Sequence, residues 1–165
     1  MIRKEKITPC RIEGFHHAVD VVARERKYLA FLEAPPLAST REFVLENIGN
    51  GNPQYLAVLD NGVIGWCDVV RLTRPVHTHA GILGLGLLPE FRGKGIGTKL
   101  ITTTMAAAHD SGMVRIELTV HANNEPAIAL YKKVGFKEEG ILRDMTLIDG
   151  SYIDSIMMAV IKRPS

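Results

Sequence analysis

Between Leu87 and Thr98 the chain reads Leu-Leu-Pro-Glu-Phe-Arg-Gly-Lys-Gly-Ile-Gly-Thr. An apolar strand ending at Leu88 runs into a loop carrying Arg92, Lys94 and three glycines, and a helix opens near Ile96. Glycine lets a backbone come close to a ligand without steric cost. Free N–H groups at a helix N-terminus, with the positive end of the helix dipole behind them, attract phosphate oxygens. Arg92, Gly93, Lys94, Gly95, Ile96, Gly97 and Thr98 are therefore expected to hold a diphosphate-bearing cofactor, mostly through main-chain N–H groups. Two nucleotide motifs fail here. A Walker loop needs G-x-x-x-x-G-K-[ST], but Gly95 follows Lys94 and Leu88 stands where the first glycine belongs. A dinucleotide fingerprint needs a third glycine where Thr98 stands, and Glu117 lies inside its strand run, not at the end as a ribose-binding acid would.

The segment Arg92-Gly-Lys-Gly-Ile-Gly97 does fit [RQ]-x-x-G-x-[GA]. Downstream, Asn124-Glu-Pro-Ala-Ile-Ala-Leu-Tyr-Lys-Lys-Val-Gly-Phe136 fits N-x-x-A-I-x-L-Y-x-x-x-G-F. Together, in this order and separation, the two motifs resemble those of the GNAT superfamily of N-acetyltransferases. The likeness is good over residues 50–160 and loose before them. Within the superfamily, residues 115–160 look most like the YhhY-like bacterial L-amino acid N-acetyltransferases.

That resemblance implies acetyl-CoA as co-substrate and an acetyl transfer to an amine. An ammonium such as that of lysine has a pKa of about 10.4, so a base or a water chain must free its lone pair near neutrality. By resemblance, the strand holding Leu85, Leu87 and Leu88 pairs with the pantetheine, and an N–H near Leu87 or Leu88 polarises the thioester carbonyl. Tyr131 matches the tyrosine that protonates the leaving thiolate; its alternative is a packed core aromatic. Asn124 matches a position that bonds the cofactor arm, and it is equally a helix N-cap. Some superfamily members carry a glutamate five residues before that asparagine, where this chain has Thr119. Glu117, one pleat away, is the candidate base, acting through water or else merely paired with a neighbouring Arg or Lys.

The acceptor is expected to be a small primary amine, an amino acid or analogue, with Arg26 or Arg143 for its carboxylate and Glu25 near its amine. The alternatives are a protein N-terminus, as for ribosomal-protein acetyltransferases, and a non-catalytic acetyl-CoA sensor. The resemblance also allows a homodimer. His77 and His79 read as two imidazoles on one strand face; without a third ligand they imply no metal.

The 165 residues carry 46% hydrophobic and 23% charged side chains with a formal charge of +2, and no Lys/Arg stripe suited to nucleic acid. Two cysteines give no disulfide framework, there is no signal-peptide pattern, and the longest apolar run, Ala80–Pro89, is too short for a bilayer. The expectation is one cytoplasmic domain over residues 1–165.

The elements that would position the site follow from periodicity and punctuation. A short strand over 2–8 precedes a helix over 14–33, ended by Pro35-Pro36, and a helix capped by Ser39-Thr40 runs to Asn47. Strands 55–59 and 63–70 flank an Asn61-Gly62 hairpin signal. Strand 81–88, a helix from Ile96 to His109, strand 114–120 and a helix from Pro126 to Gly135 follow. Strands 136–142 and 152–161 close the chain around Asp149-Gly150. The order β-α-α-β-β-β-α-β-α-β-β predicts an α/β GNAT fold: a twisted, mixed but mostly antiparallel sheet of six to seven strands, helices on both faces and a cleft at a splayed βαβ unit.

Overall fold

The computed structural model describes residues 1–165. Its strands are β1 (Arg3–Lys6), β2 (Gln54–Leu59), β3 (Gly62–Arg71), β4 (Ala80–Leu87), β5 (Arg115–His121), β6 (Lys137–Ile148) and β7 (Ser151–Ile161). The helices are α1 (Ile12–Arg24), α2 (Leu37–Asn50), α3 (Ile96–Asp110) and α4 (Glu125–Lys133). The seven strands form one sheet in the order β1-β2-β3-β4-β5-β7-β6. Every neighbouring pair is antiparallel except β4 with β5.

That parallel pair is the key to the site. It is joined only over Ala80–Ile82 against Arg115–Glu117, after which the two strands separate. Alternating side chains then divide β3 and β4 between two cores. Cys67, Val69 and Leu83 pack with Leu100, Ile101 and Met105 of α3 and with Tyr131 of α4. Leu56, Val58, Val63 and Trp66 pack with Phe15, Val19 and Val22 of α1 and Val44 of α2. The buried positions of α1 (Ile12, Phe15, Ala18, Val19, Val22, Ala23) follow the 3.6-residue period that makes it amphipathic.

Several boundaries differ from the sequence reading. The first helix ends at Arg24 rather than running to 33, because the charged run Arg24–Lys27 has no apolar stripe to bury and Arg26 takes a φ of 58°. The second helix starts at Leu37 after Pro36; Ser39 and Thr40 lie inside it, and no side chain caps it. The β2–β3 turn is centred on Asp60-Asn61, at φ 48° and 65°, with Gly62 already paired in β3. Both residues accept the left-handed conformation a two-residue hairpin needs. His77 ends a 3-10 turn begun by Pro75 and His79 follows in a turn, so the two imidazoles do not share a strand face. The β6 strand runs on to Ile148, past 142, because register shifts absorb Arg143 and Asp144, the latter at φ 53°. The β6–β7 turn does form on Asp149-Gly150.

Candidate active site

The loop after β4 has the geometry its sequence demands. Gly93 and Gly95 sit at φ 74° and 82°, left-handed values that side chains resist, with open space where each Cβ would stand. Gly95 is the N-cap of α3 and no side chain caps that helix. Lys99 is the first residue of this stretch whose N–H is bonded, to Gly95 O at 3.3 Å. The N–H groups from Gly93 to Thr98 thus form an unpaired cradle at a helix N-terminus, which is what a pyrophosphate requires. Gly97 does different work. A Cβ there would meet Leu130 and Leu87 at 3.3 and 3.4 Å, so the glycine lets α3 lie close to α4 and β4. Beside the cradle, a cavity of about 210 Å³ is rimmed by the cations Arg3, Lys4, Lys94 and Lys99.

Arg92 is turned away from the cradle. Its guanidinium clamps Glu25 with two bonds of 2.9 and 2.6 Å, donates Nε–H to Leu87 O at 3.1 Å, and lies 4.6 Å above the Tyr28 ring. Any part of Arg92 in phosphate binding therefore falls to its main chain. Two further contacts tie down the segment after α1. His121 Nδ1 bonds Lys27 O at 2.7 Å, and Arg26 grips Asp149 with bonds of 3.1 and 2.6 Å. Residues 25–28 are thus strapped to the end of β4, the end of β5 and the β6–β7 turn. Glu25 and Arg26, both read as acceptor contacts, have their charges engaged in this strap, and His121 is a participant that the sequence did not signal.

The Leu88 N–H is committed to Ile64 O at 2.9 Å. N–H groups alternate between the two edges of a strand, so Leu85 and Leu87, beyond the last residue joined to β5, direct theirs to the open side where β5 has departed. Of the two expected carbonyl-polarising residues, Leu87 has its N–H available and Leu88 does not.

The second motif is a helix with both ends fixed. Asn124 caps α4, its Oδ1 accepting from Ala127 N at 3.3 Å, and its Nδ2 has no partner in the protein. At the other end, Phe136 N–H bonds Tyr131 O at 2.9 Å and Gly135 N–H bonds Lys132 O at 3.1 Å, with Gly135 at φ 107°. This is a Schellman cap, and Phe136 makes the accompanying apolar contact by packing edge-on against Tyr131 at 5.7 Å. The Y-x-x-x-G-F spacing is thus a device that locks Tyr131. Its ring is buried, its phenol has no hydrogen-bond partner in the protein, and burial raises its pKa above the ordinary value.

Glu117 pairs across β4–β5 with Ile82, on the face toward α1. Arg115 Nε donates to Glu117 Oε1 at 3.1 Å, and the same guanidinium grips Glu139 at 2.9 and 2.6 Å. A second carboxylate on that face carries no such partner. Asp68 alternates with Cys67 and Val69, so its side chain faces α1 and α2 from the middle of β3; it is 7% exposed and its carboxylate makes no hydrogen bond. Burial alone pushes its carboxyl up to about 7. The sequence signal was available: Asp68 is the single charged residue in the run Gly62–Val70.

The profile of the acetyltransferase (GNAT) family matches residues 22–136. The L-amino acid N-acetyltransferase AaaT of Escherichia coli is 33% identical over 113 residues, 68% of this chain and 70% of that protein. The N-alpha-acetyltransferase RimI of Mycobacterium tuberculosis is 29% identical over 118 residues, 71% of this chain and 70% of that protein. Among solved structures, yncA from Salmonella typhimurium with its cofactor acetyl-CoA superposes with a TM-score of 0.92 at 13% identity, covering 99% of this chain and 95% of that one. A phosphinothricin acetyltransferase from Sinorhizobium meliloti in complex with AcCoA gives 0.91 at 19%, covering 98% and 88%. At such identities these two show the fold alone. With the family profile spanning most of its length, and the cradle, the open β4 edge and the locked tyrosine in place, this chain belongs to the acetyltransferase (GNAT) family.

Proposed function

We propose that this chain moves an acetyl group from acetyl-CoA to the primary amine of a small molecule, an amino acid or close analogue, by direct attack of the amine on the thioester. Bound at the loop, acetyl-CoA supplies the activated acetyl group. The N–H groups of Gly93 to Thr98 hold its pyrophosphate, and the Asn124 amide reaches its arm. The Leu87 N–H, directed to the open side of β4, polarises the carbonyl oxygen and stabilises the charge that develops there. Tyr131 gives its proton to the departing thiolate. Phenols ordinarily titrate near 10 and thiols near 8.5, and burial of Tyr131 keeps the donor fully protonated at working pH. Glu117, ion-paired with Arg115, is the candidate to relay a proton through water. Direct attack follows from the cysteines. Cys67 is buried with its thiol pushed up by burial, and Cys10 lies on the turn between β1 and α1, so neither is suited to carry the acetyl group.

The observation that carries the small-acceptor reading is the strap. Glu25–Arg92, Lys27–His121 and Arg26–Asp149 tie residues 25–28 to the diverging ends of β4 and β5 and to the last hairpin, where an extended peptide would need open space. The name of the Escherichia coli relative, an L-amino acid N-acetyltransferase, supports the same reading. Acetylation of a protein N-terminus is the second reading, favoured by relatives such as the [ribosomal protein bS18]-alanine N-acetyltransferase of Salmonella typhimurium, 32% identical over 89 residues. Thiol release from acetyl-CoA, measured across amino acids, polyamines and short peptides, separates the two. Turnover on amino acids or analogues at a kcat/KM above that of any peptide is expected, and the reverse order would overturn the reading.

A further inference from the structure

We propose that the Asp68 carboxylate is the group that receives the acceptor's ammonium and takes its proton. This rests on the acetyl-transfer reading above, but not on the acceptor being small, since a peptide N-terminus also presents an ammonium.

Three observations converge on Asp68. First, it stands beside the point where the cleft opens: its cross-strand partner is Gly84, two residues past Ile82, the last residue of β4 joined to β5. Secondly, Gly84 leaves the room. A Cβ at that position would lie 3.2 Å from Asp68 Oδ1, so any side chain on β4 would crowd the carboxylate from the cleft side. Two residues on, the corresponding space over Gly86 is filled by the Trp66 indole, so the gap is confined to Asp68. Thirdly, the carboxylate is buried, unpartnered and still open to solvent. Gln54 Nε2 is the one side-chain polar atom both sealed from solvent and without a partner, so the Asp68 oxygens, which also lack a partner, touch solvent.

A buried carboxylate without a partner is costly unless something arrives to pair with it. An ammonium entering from the cleft meets that need, as an anion would not. The groups facing Asp68 from the elements around it are uncharged. On β2 its partner is Gln54, whose Oε1 accepts from Asn47 Nδ2 of α2 at 3.0 Å; on β4 it is Gly84, and on β3 the flanking side chains of the same face are Trp66 and Val70. The side chains that α1 and α2 bury in this core are Phe15, Ala18, Val19, Val22 and Val44, and Glu117 stands beyond β4, tied to Arg115. A base that titrates near neutrality is matched to freeing an amine near neutrality.

The protons balance. The ammonium gives one proton to Asp68, which passes it to solvent. The amine lone pair then bonds the carbonyl carbon, the C–S bond breaks, and the sulfur takes a proton from Tyr131. The nitrogen loses its second proton as the amide forms, and that proton restores the phenol. Net, the ammonium and thioester become an amide, a thiol and one released proton.

The test is Asp68→Asn, measured with whichever amine the parent protein acetylates fastest, over a range of pH. At pH 7 kcat/KM for the amine is expected to fall about 100-fold, with coenzyme A affinity within twofold of the parent. By about pH 9.5, where a growing fraction of the amine is already neutral, the deficit should shrink to less than about tenfold. A deficit that stays constant with pH would mean a structural role and overturn the proposal. So would a pH-recoverable deficit in Glu117→Gln with none in Asp68→Asn. Gly84→Ala, which crowds Oδ1 without touching the charge, supplies a second variant; it is expected to raise the amine KM and spare coenzyme A affinity, and an unchanged amine KM would also count against Asp68. Should the parent acetylate peptides alone, the small-acceptor reading falls while the Asp68 comparison is still decided on the peptide amine.

Discussion

Replacing Gly95 with valine separates what the cradle does for folding from what it does for the cofactor. Gly95 sits at φ 82° with nothing within 4 Å of its absent Cβ, so the folded protein suffers strain but no clash. Holding an L-residue in the left-handed region costs about 1–2 kcal/mol. At about 2.1 cal/mol/K per residue, the unfolding entropy of 165 residues is about 0.35 kcal/mol/K, so the loss should read as a Tm lower by about 3–6 °C. Gly112→Val is the control. Gly112 has φ 97° and equally open space, but it closes the other end of α3 through a Schellman cap. Both variants should show a Tm loss of this order by scanning calorimetry. Only Gly95→Val should also lose coenzyme A. An N–H bond to a charged oxygen contributes about 1.5–3 kcal/mol, so displacing two weakens binding by at least about 100-fold in titration calorimetry. If Gly95→Val binds coenzyme A as tightly as Gly112→Val, the N–H groups of residues 93–98 are not the pyrophosphate site.

Further expectations rest on other parts of the site. Tyr131→Phe should lower kcat and kcat/KM together by about 100-fold while sparing coenzyme A affinity; an equal loss of coenzyme A affinity would remove the general-acid role. Its stability should hardly change, because the phenol has no partner in the protein to lose. Glu25→Gln breaks the clamp on Arg92 and should raise the acceptor KM by about tenfold with coenzyme A affinity intact, read from initial rates at saturating acetyl-CoA. The buried carboxyl of Asp68 also predicts a stability profile. Its folded pKa of about 7 lies above the unfolded value of about 3.9, so the stability it confers is complete below pH 4 and is lost as pH rises through 7. Asp68→Asn should therefore melt higher than the parent at pH 8, with the advantage shrinking as pH falls below 7 and gone by about pH 4; a difference that does not vary with pH would contradict the burial argument.

The parts of this molecule written in local sequence were legible before its structure. The glycines of Arg92–Gly97 announce positive φ and close approach, and both follow at Gly93, Gly95 and Gly97. The spacing from Tyr131 to Phe136 encodes a cap that is complete within six residues. Asp149-Gly150 specifies its turn for the same reason. What escaped depends on partners distant in the chain. Glu25 and Arg92 are 67 residues apart, and nothing near either residue says that the guanidinium turns to the strap rather than to phosphate. His121 finds Lys27 across 94 residues. Helix α1 stops early because its charged continuation has these remote contacts to make, a fact that apolar spacing alone does not carry. Which of Leu87 and Leu88 has its N–H free depends on strand alternation, set by the bond from Leu88 N–H to Ile64 O in the neighbouring strand. Asp68 stood in plain view as one acid in an apolar run, but only the register with Gly84 and the early departure of β5 give it a purpose.

The most direct test of direct transfer is a grid of initial rates in which acetyl-CoA and the preferred amine are varied together. Attack within a ternary complex predicts double-reciprocal lines that intersect, and no acetylated protein when the chain is incubated with acetyl-CoA alone and weighed by intact-mass spectrometry. Parallel lines, with an acetyl group found on Cys10 or another side chain, would contradict the account.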